Sequence, residues 1–285
     1  MKPVHLSVGK LNIDILVKAD RVPDPDHPTY TDILEILPGG AATNYAMAAS
    51  RLGHSSKILA RVSRNPIVKT IMSLLADGGV GLEYVHEIEG PTNSTLIFIR
   101  DDGKVSMIRK QGVSMTITAE DVKQLFGLFD VIHFASVSPN VVVRDPNARW
   151  VSYDPGPFAG ELKELPQLDV IFLNEAEFSR LNVSDLKAKY VAVKMGSKGA
   201  MVIGENERCT AKALKVKAVD TTGAGDVFDA AFNVAIMEGW DLKDALAFAV
   251  VASGLKVTRL GGISSPTLEE TLSVMKAQNV ELSCE

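Results

Sequence analysis

A chain of 285 residues is long enough for one large α/β domain or a domain with an appendage, and 46% hydrophobic with 23% charged side chains excludes a disordered or fibrous chain. Thirty basic against 35 acidic side chains, a net charge of −5 spread along the sequence, argue against a nucleic-acid or anionic-membrane surface, so any phosphate site must be local. Cys209 and Cys284 stand far apart with no histidine at metal-ligand spacing; neither a disulfide framework nor a zinc site is expected, and a reduced, cytoplasmic setting is.

The N-terminal stretch lacks the apolar core of a secretory signal, and the longest apolar run, Ala245 to Val251, is far too short to span a membrane. Val4 to Val8 alternates up to Gly9 and Leu11 to Val17 continues extended, which reads as a first strand with Asp14 just past its glycine turn, an early candidate for ligand contact. Lys18 to Leu37 carries Pro23, Pro25, Pro28 and four aspartates, so it is expected to run over the surface as a loop with a short strand, in the manner of a lid. Gly39-Gly40 then opens a helix from Ala41 to Leu52, closed by Gly53. The paired glycines let backbone amides approach a ligand, and Asn44 in the first turn serves either that ligand or a local hydrogen bond.

Lys57 to Val62 is a strand, and Asn65-Pro66 launches a helix from Ile67 to Ala76. Leu96 to Arg100, the Asp102-Gly103 pair and Val105 to Arg109 form a hairpin that belongs to a sheet edge or to a small second layer of strands. Thr118 to Asp121 starts a helix as a capping box with aspartate in the usual glutamate position. From Asp130 strands at 131–135, 150–153, 170–173 and 191–195 alternate with helical stretches, which predicts an α/β fold with a mostly parallel sheet covered on both faces. Ligands in such sheets bind at the carboxyl ends of strands, where Asp154, Asn174, Glu177, Lys194 and Gly196 fall.

The stretch Val219-Asp-Thr-Thr-Gly-Ala-Gly-Asp226-Val-Phe-Asp-Ala-Ala-Phe232 concentrates the chemistry. Gly223 and Gly225 allow a sharp turn, and the helix that follows is apolar almost all round, hence buried, with its N-terminus aimed at the turn. Orphan amides and the positive end of the helix dipole suit an anion such as a transferring phosphoryl group. Asp226 at that junction repels an anion unless it takes a proton from an attacking hydroxyl; read alone, it is equally a helix cap. Asn174 and Glu177, three apart where a strand gives way to a helix, suit a hydrated magnesium shell or a capping box. Gly196 to Gly199 reads by itself as a hairpin turn, and the five histidines as structural or exposed. Neither a Walker A pattern nor a dinucleotide fingerprint is present.

Asp220-Thr-Thr-Gly-Ala-Gly-Asp226-Val-Phe resembles the C-terminal signature of the PfkB, or ribokinase-like, carbohydrate kinases, and Gly39-Gly-Ala-Ala-Thr-Asn44 with its helix resembles their N-terminal one. Asp154-Pro155, Asn174 to Glu177, Gly196 to Gly199 and Thr258-Arg259-x-Gly261-Gly262 follow in family order over essentially the whole chain. The resemblance implies a three-layer sandwich in one domain, 1–285, with a discontinuous β-sheet lid from parts of 11–37 and 90–112 that closes over the sugar. It implies transfer of a terminal phosphoryl group from a nucleotide, ATP or else ADP, to a hydroxyl of a sugar or nucleoside. Asp226 would be the base, and the amides of Ala224, Gly225 and Asp226, with Gly223 shaping the turn, the anion hole. Asp14, Gly39, Gly40 and Asn44 would hold sugar hydroxyls; Asn174 and Glu177 would organise Mg2+ and phosphate; Lys194, Gly196, Gly199 and Gly254 would line the nucleotide; Asp220 and Thr222 resemble the ligands of a K+ site in some members.

The chain departs from that pattern in two places. Ser63-Arg64-Asn65-Pro66-Ile67-Val68 replaces a Gly-x-Asp-x-x-Gly run, and Lys194 stands where threonine is common. Arg64 with Arg100, Arg109 or Lys110 either supplies a pocket for an already phosphorylated sugar or, on twice the weight, decorates the surface. A non-catalytic sugar- or nucleotide-binding regulator on the same fold is the reading from another class. Exposed strand edges on the lid suggest a lid-to-lid homodimer.

Overall fold

In the computed structural model, which describes residues 2–285 apart from 20, 22, 101–104, 163 and 279, the apolar runs become strands buried on both faces. The strands are β1 (Val4–Gly9), β2 (Asn12–Lys18), β3 (Leu34–Gly39), β4 (Ser55–Ser63), β5 (Val80–Ile88), β6 (Ser94–Ile99), β7 (Val105–Lys110), β8 (Val131–Ala135), β9 (Trp150–Asp154), β10 (Leu168–Asn174), β11 (Ala188–Lys194), β12 (Ala200–Ile203), β13 (Arg208–Ala211) and β14 (Leu282–Cys284). The helices are α1 (Ala41–Arg51), α2 (Pro66–Asp77), α3 (Ala119–Lys123), α4 (Glu175–Phe178), α5 (Ala224–Met237), α6 (Leu242–Lys256) and α7 (Leu268–Ala277).

Ten strands form one sheet in the order β5-β4-β1-β8-β9-β10-β11-β12-β13-β14, parallel from β5 to β11 and antiparallel beyond. From β1 the chain first builds outward to β4 and β5, then returns to β8 on the other side. That reversal opens a crevice at the carboxyl ends of the strands, where the argument from topology places ligands. Tyr45, Phe228, Phe232 and Phe248 bring α1, α5 and α6 onto one face; Ile132, Phe134, Tyr153 and Leu173 are packed on the other, giving three layers. The expected capping boxes and N-caps at Thr118 and Asn65 are present, and Gly53 turns the chain at φ 98°. Among the described residues no helix is long and apolar enough to cross a membrane.

β2, β3, β6 and β7 make a separate four-stranded sheet in the order β3-β2-β6-β7. The single first strand expected over residues 4–17 is therefore two strands in two sheets, because the backbone turns at Gly9-Lys10 and Asp14 leaves the large sheet altogether. The Asp102-Gly103 turn of the expected hairpin lies outside the described residues, while its flanking strands β6 and β7 pair antiparallel. His5, His54 and His133 are buried, and His5 bonds Tyr45 and His54, so these histidines serve the core.

One expectation is overturned. Cys209 and Cys284 form a disulfide across a sequence separation of 75. Spacing along the chain hides this pairing; β13 and β14 run antiparallel with the two cysteines in register, which sets their side chains face to face.

Candidate active site

The site is built where α5 begins. Gly223, the N-cap, sits in the left-handed region at φ 77°, and a Cβ there would lie 2.8 Å from the Gly262 carbonyl oxygen, so both conformation and space require glycine. The Ala224 amide donates to the Thr221 carbonyl at 3.2 Å, which removes it from the expected anion hole. The amides of Gly225 and Asp226, second and third in the helix, remain as its orphan donors.

Asp226 is half-buried, and Asn44 from α1 donates to its Oδ2 at 2.7 Å. Burial first, then the nearby Asp154 carboxylate, push Asp226 up to about 7, against the Asn44 hydrogen bond and the charges of Lys194 and Lys256. A carboxylate poised there accepts a proton readily near neutrality.

Two cavities meet at this helix start, and Thr221 and Gly225 line both. One, of about 520 Å3, lies under the small sheet and is lined by Asp14, Gly40, Asn44, Asn174, Gly223 and Asp226 among others. Asp14 is buried and pushed up to about 6 by that burial, with the Thr95 hydroxyl and the Arg109 charge opposing. Its carboxylate lies so close to Gly39 that any side chain on Gly39 would collide with it. Buried oxygens of Asn12, Asp14 and Asn44 in this lining have no protein partner, so the wall lacks hydrogen-bond donors that a polyol can supply.

The other cavity, of about 280 Å3, is lined by Lys194, Gly196, Gly199, Ala224, Gly225 and Gly254, with Leu214, Val216, Phe228 and Val257 giving it an apolar wall. The Gly196–Lys198 segment is both the turn into β12 and part of this wall. Leu214 and Val216 carry no motif that sequence reasoning could have used.

Lys194 reaches the smaller cavity from the end of β11, but its ammonium is already engaged. Nζ donates to Asp154 Oδ2 at 2.7 Å and to Asp229 Oδ1 at 2.9 Å, and the Asp229 side chain is fully buried. Burial pushes Asp154 up, yet Lys194 outweighs it and holds the group below its usual range; at Asp229 burial wins and the group is raised. Carboxylate oxygens of Asp154, Asp226 and Asp229 cluster within 4.8 Å, a spacing that would suit a metal, but Lys194 already supplies the cation there.

Asn174 and Glu177 form the capping box: Glu177 N donates to Asn174 Oδ1 at 2.9 Å and Asn174 N to Glu177 Oε2 at 2.8 Å. Both are exposed or half-buried at the crevice, and Asn174 lines the larger cavity. A partly exposed carboxylate of this kind fits a hydrated magnesium ion, which keeps most of its waters. The expected K+ ligands fare differently. Asp220 Oδ1 accepts from Thr222 N and Oδ2 from Gly261 N, each at 2.9 Å, and Lys256 Nζ donates to the Asp220 carbonyl. With the Lys256 ammonium already on that carbonyl, the place an alkali ion would take is filled, so these residues as they stand do not fit one.

Of the four cations weighed for a phosphate pocket, Arg109 lines the larger cavity, where Lys10 joins it. Lys10 was missed because it stands alone after a strand, where a lysine is ordinarily solvated.

The sequence profile of the pfkB family of carbohydrate kinases matches residues 5–269. An ATP-dependent ribose-1-phosphate kinase of Halopiger xanaduensis is 30% identical over 281 residues, 93% of this chain and 95% of the relative. The ribokinase of Bacillus subtilis is 28% identical over 288 residues, 93% and 98% of the two chains. The structure of Arabidopsis thaliana ribokinase complexed with ribose and ATP superposes with a TM-score of 0.82 at 28% identity, covering 97% of this chain and 99% of that one. That of Thermotoga maritima ribokinase does so at 0.81 and 26%, covering 97% and 100%. A match that runs from the first strand into the last helix, over two cavities that meet at the start of α5, shows that the chain belongs to the pfkB family of carbohydrate kinases.

Proposed function

We propose that the chain transfers the γ-phosphoryl group of ATP to a hydroxyl of a sugar or nucleoside held in the larger cavity, with Asp226 as the base. The observation that carries this reading is the position of Asp226 on the wall of the acceptor cavity, next to Gly225, which lines both cavities. Asp226 takes the hydroxyl proton, the freed oxygen bonds to phosphorus, and the bond to the leaving ADP breaks; the Gly225 and Asp226 amides hold the charge that develops. Asp14 and Asn44, with unpaired oxygens, orient acceptor hydroxyls, and ATP lies along Gly196, Gly199, Ala224 and Gly254. Glu177 and Asn174 would hold hydrated Mg2+, which supplies charge neutralisation at the phosphates. The small sheet acts as a lid within one domain, excluding water that would otherwise hydrolyse ATP. ATP dependence supports a cytoplasmic place, since the cysteines, being paired, no longer do.

A coupled assay with Mg2+, ATP or ADP, and a panel of pentoses, hexoses, nucleosides and sugar phosphates tests the reading. Transfer from ATP to at least one acceptor is expected; nucleotide binding without any transfer would favour a regulator instead.

A second reading, in which the acceptor already carries a phosphate, is supported by Lys10 and Arg109. They line the acceptor cavity together, neither forms an ion pair with a described carboxylate, and burial followed by the Arg109 charge holds Lys10 below the usual lysine range. On this reading Arg109→Met raises KM for the sugar phosphate about tenfold or more with a smaller effect on kcat. An unchanged KM for every phosphorylated acceptor would remove it.

Leu34 and Ile36 on β3 and Ile108 on β7 leave the edges of the lid sheet apolar and exposed, which supports a lid-to-lid homodimer. Sedimentation should show a dimer that Ile36→Lys with Ile108→Lys converts to monomer; a wild-type monomer at tens of micromolar would remove the pairing.

A further inference from the structure

Lys256 closes α6, a helix whose buried positions are otherwise alanine, valine, leucine and phenylalanine, and it is itself 0% exposed. A buried ammonium is costly unless oxygens replace its water. Here they do: Nζ donates to the carbonyl of Asp220 at 3.2 Å and to the carbonyl of Arg259 at 3.1 Å. Those carbonyls belong to different segments. Asp220 opens the turn that runs through Gly223 to Asp226, and Arg259 lies in the loop that leaves α6.

The Asp220 carboxylate ties the same two segments again, accepting from Thr222 N in the first and Gly261 N in the second. Val219 and Asp220 amides both donate to the Val257 carbonyl. A single positive charge thus sits among carbonyl oxygens with a carboxylate alongside, between the loop that makes the anion hole and the loop that braces it. Carbonyl and carboxylate oxygens with one negative charge are the hard ligands that hard cations take.

We propose that the Lys256 ammonium is a tethered replacement for a monovalent cation, holding the 219–223 turn to the 257–262 loop so that the enzyme needs no added potassium. Burial lowers the ammonium to about 8, with Asp220 and Asp226 opposing, so it remains charged near neutrality. Its charge also favours the ionised form of Asp226. Lys256 is in the lining of neither cavity and acts by positioning the turn.

The inference rests on the kinase reading for one of its readouts only. In steady-state assays at constant ionic strength, wild-type rates in potassium, sodium and tetramethylammonium chloride should agree within about twofold. Lys256→Ala, which opens room for an ion, should lose about tenfold or more of kcat in tetramethylammonium chloride and regain part of it with potassium or ammonium. In thermal unfolding, potassium should raise the midpoint of Lys256→Ala over that in tetramethylammonium and leave wild type unmoved. This arm decides the matter even if no acceptor is phosphorylated, which would sink the kinase reading by itself. Should the alanine variant not fold, Lys256→Met fills the space without the charge; it should be slower than wild type and indifferent to potassium. Strong potassium activation or stabilisation of wild type overturns the proposal, as does a Lys256→Met enzyme as fast as wild type.

Discussion

Asp226→Asn is expected to lower kcat by about a hundredfold to ten-thousandfold, the range in which a positioned general base contributes. Asparagine keeps the size of the side chain and can still pair with Asn44, so the fold and the binding of both substrates should persist. The loss should therefore fall on kcat rather than on KM. The wild-type enzyme should show the matching pH dependence. Burial raises Asp226 to about 7, and only the ionised form takes a proton, so activity should fall as pH drops through 7 and level off above it. Turnover by Asp226→Asn near the wild-type rate, or a profile flat from pH 5 to 8, would remove the base assignment.

The second large effect is expected at Lys194, and on stability. Its ammonium lies between Asp154 and Asp229, with the three side chains 15%, 12% and 0% exposed. Lys194→Met would leave two buried carboxylates without their cation, at a cost of about 3–5 kcal/mol. Urea unfolding reads this directly. Adding Asp229→Asn to Lys194→Met removes one of the stranded charges, so the double variant should be more stable than Lys194→Met alone, a non-additivity diagnostic of direct coupling. A rise in KM for ATP with unchanged stability would instead mean that the ammonium serves the nucleotide.

What the linear chain disclosed, and what it did not, follows from how far each feature reaches. The parallel strands and the Gly223 to Asp226 turn depend on neighbours a few residues away, through periodicity, glycine spacing and the dipole of one helix, and so they were legible. Asp14 and Asn44, which line the larger cavity, could be singled out for the same local reason, each following a glycine turn. Asn174 and Glu177 presented one pattern with two meanings, and the capping bonds satisfy the local one without consuming every carboxylate oxygen.

Charges in the interior were not legible. Lys194 finds Asp154 and Asp229 at 40 and 35 residues' distance, and Lys256 finds the Asp220 carbonyl 36 residues away. A lone lysine in a sequence looks like solvated surface, because nothing adjacent to it records the oxygens that receive it. The one available sign was Lys256 closing a helix whose run from Ala245 to Ala252 is wholly apolar. The same distance concealed the cysteine pair, whose meeting depends on the register of two short strands at the end of the large sheet.

That pairing also divides the chain unequally between the two sheets. The bond from Cys209 to Cys284 closes the last part of the chain into a covalent ring. Inside the ring are the turn from Asp220 and all of α5 and α6, with Asp226, the orphan amides and Lys256. Outside it, on an open thread, are Asp14, Asn44, Arg109 and the whole of the small sheet. As a linkage the molecule is a loop with a tail, in which the tail supplies Asp14, Asn44 and Arg109 to the cavity wall and the loop supplies Gly225 and Asp226. The bond therefore pins both ends of the segment that carries Gly225, Asp226 and Lys256 to one edge of the large sheet, and among the described residues no covalent link beyond the backbone joins the small sheet to it.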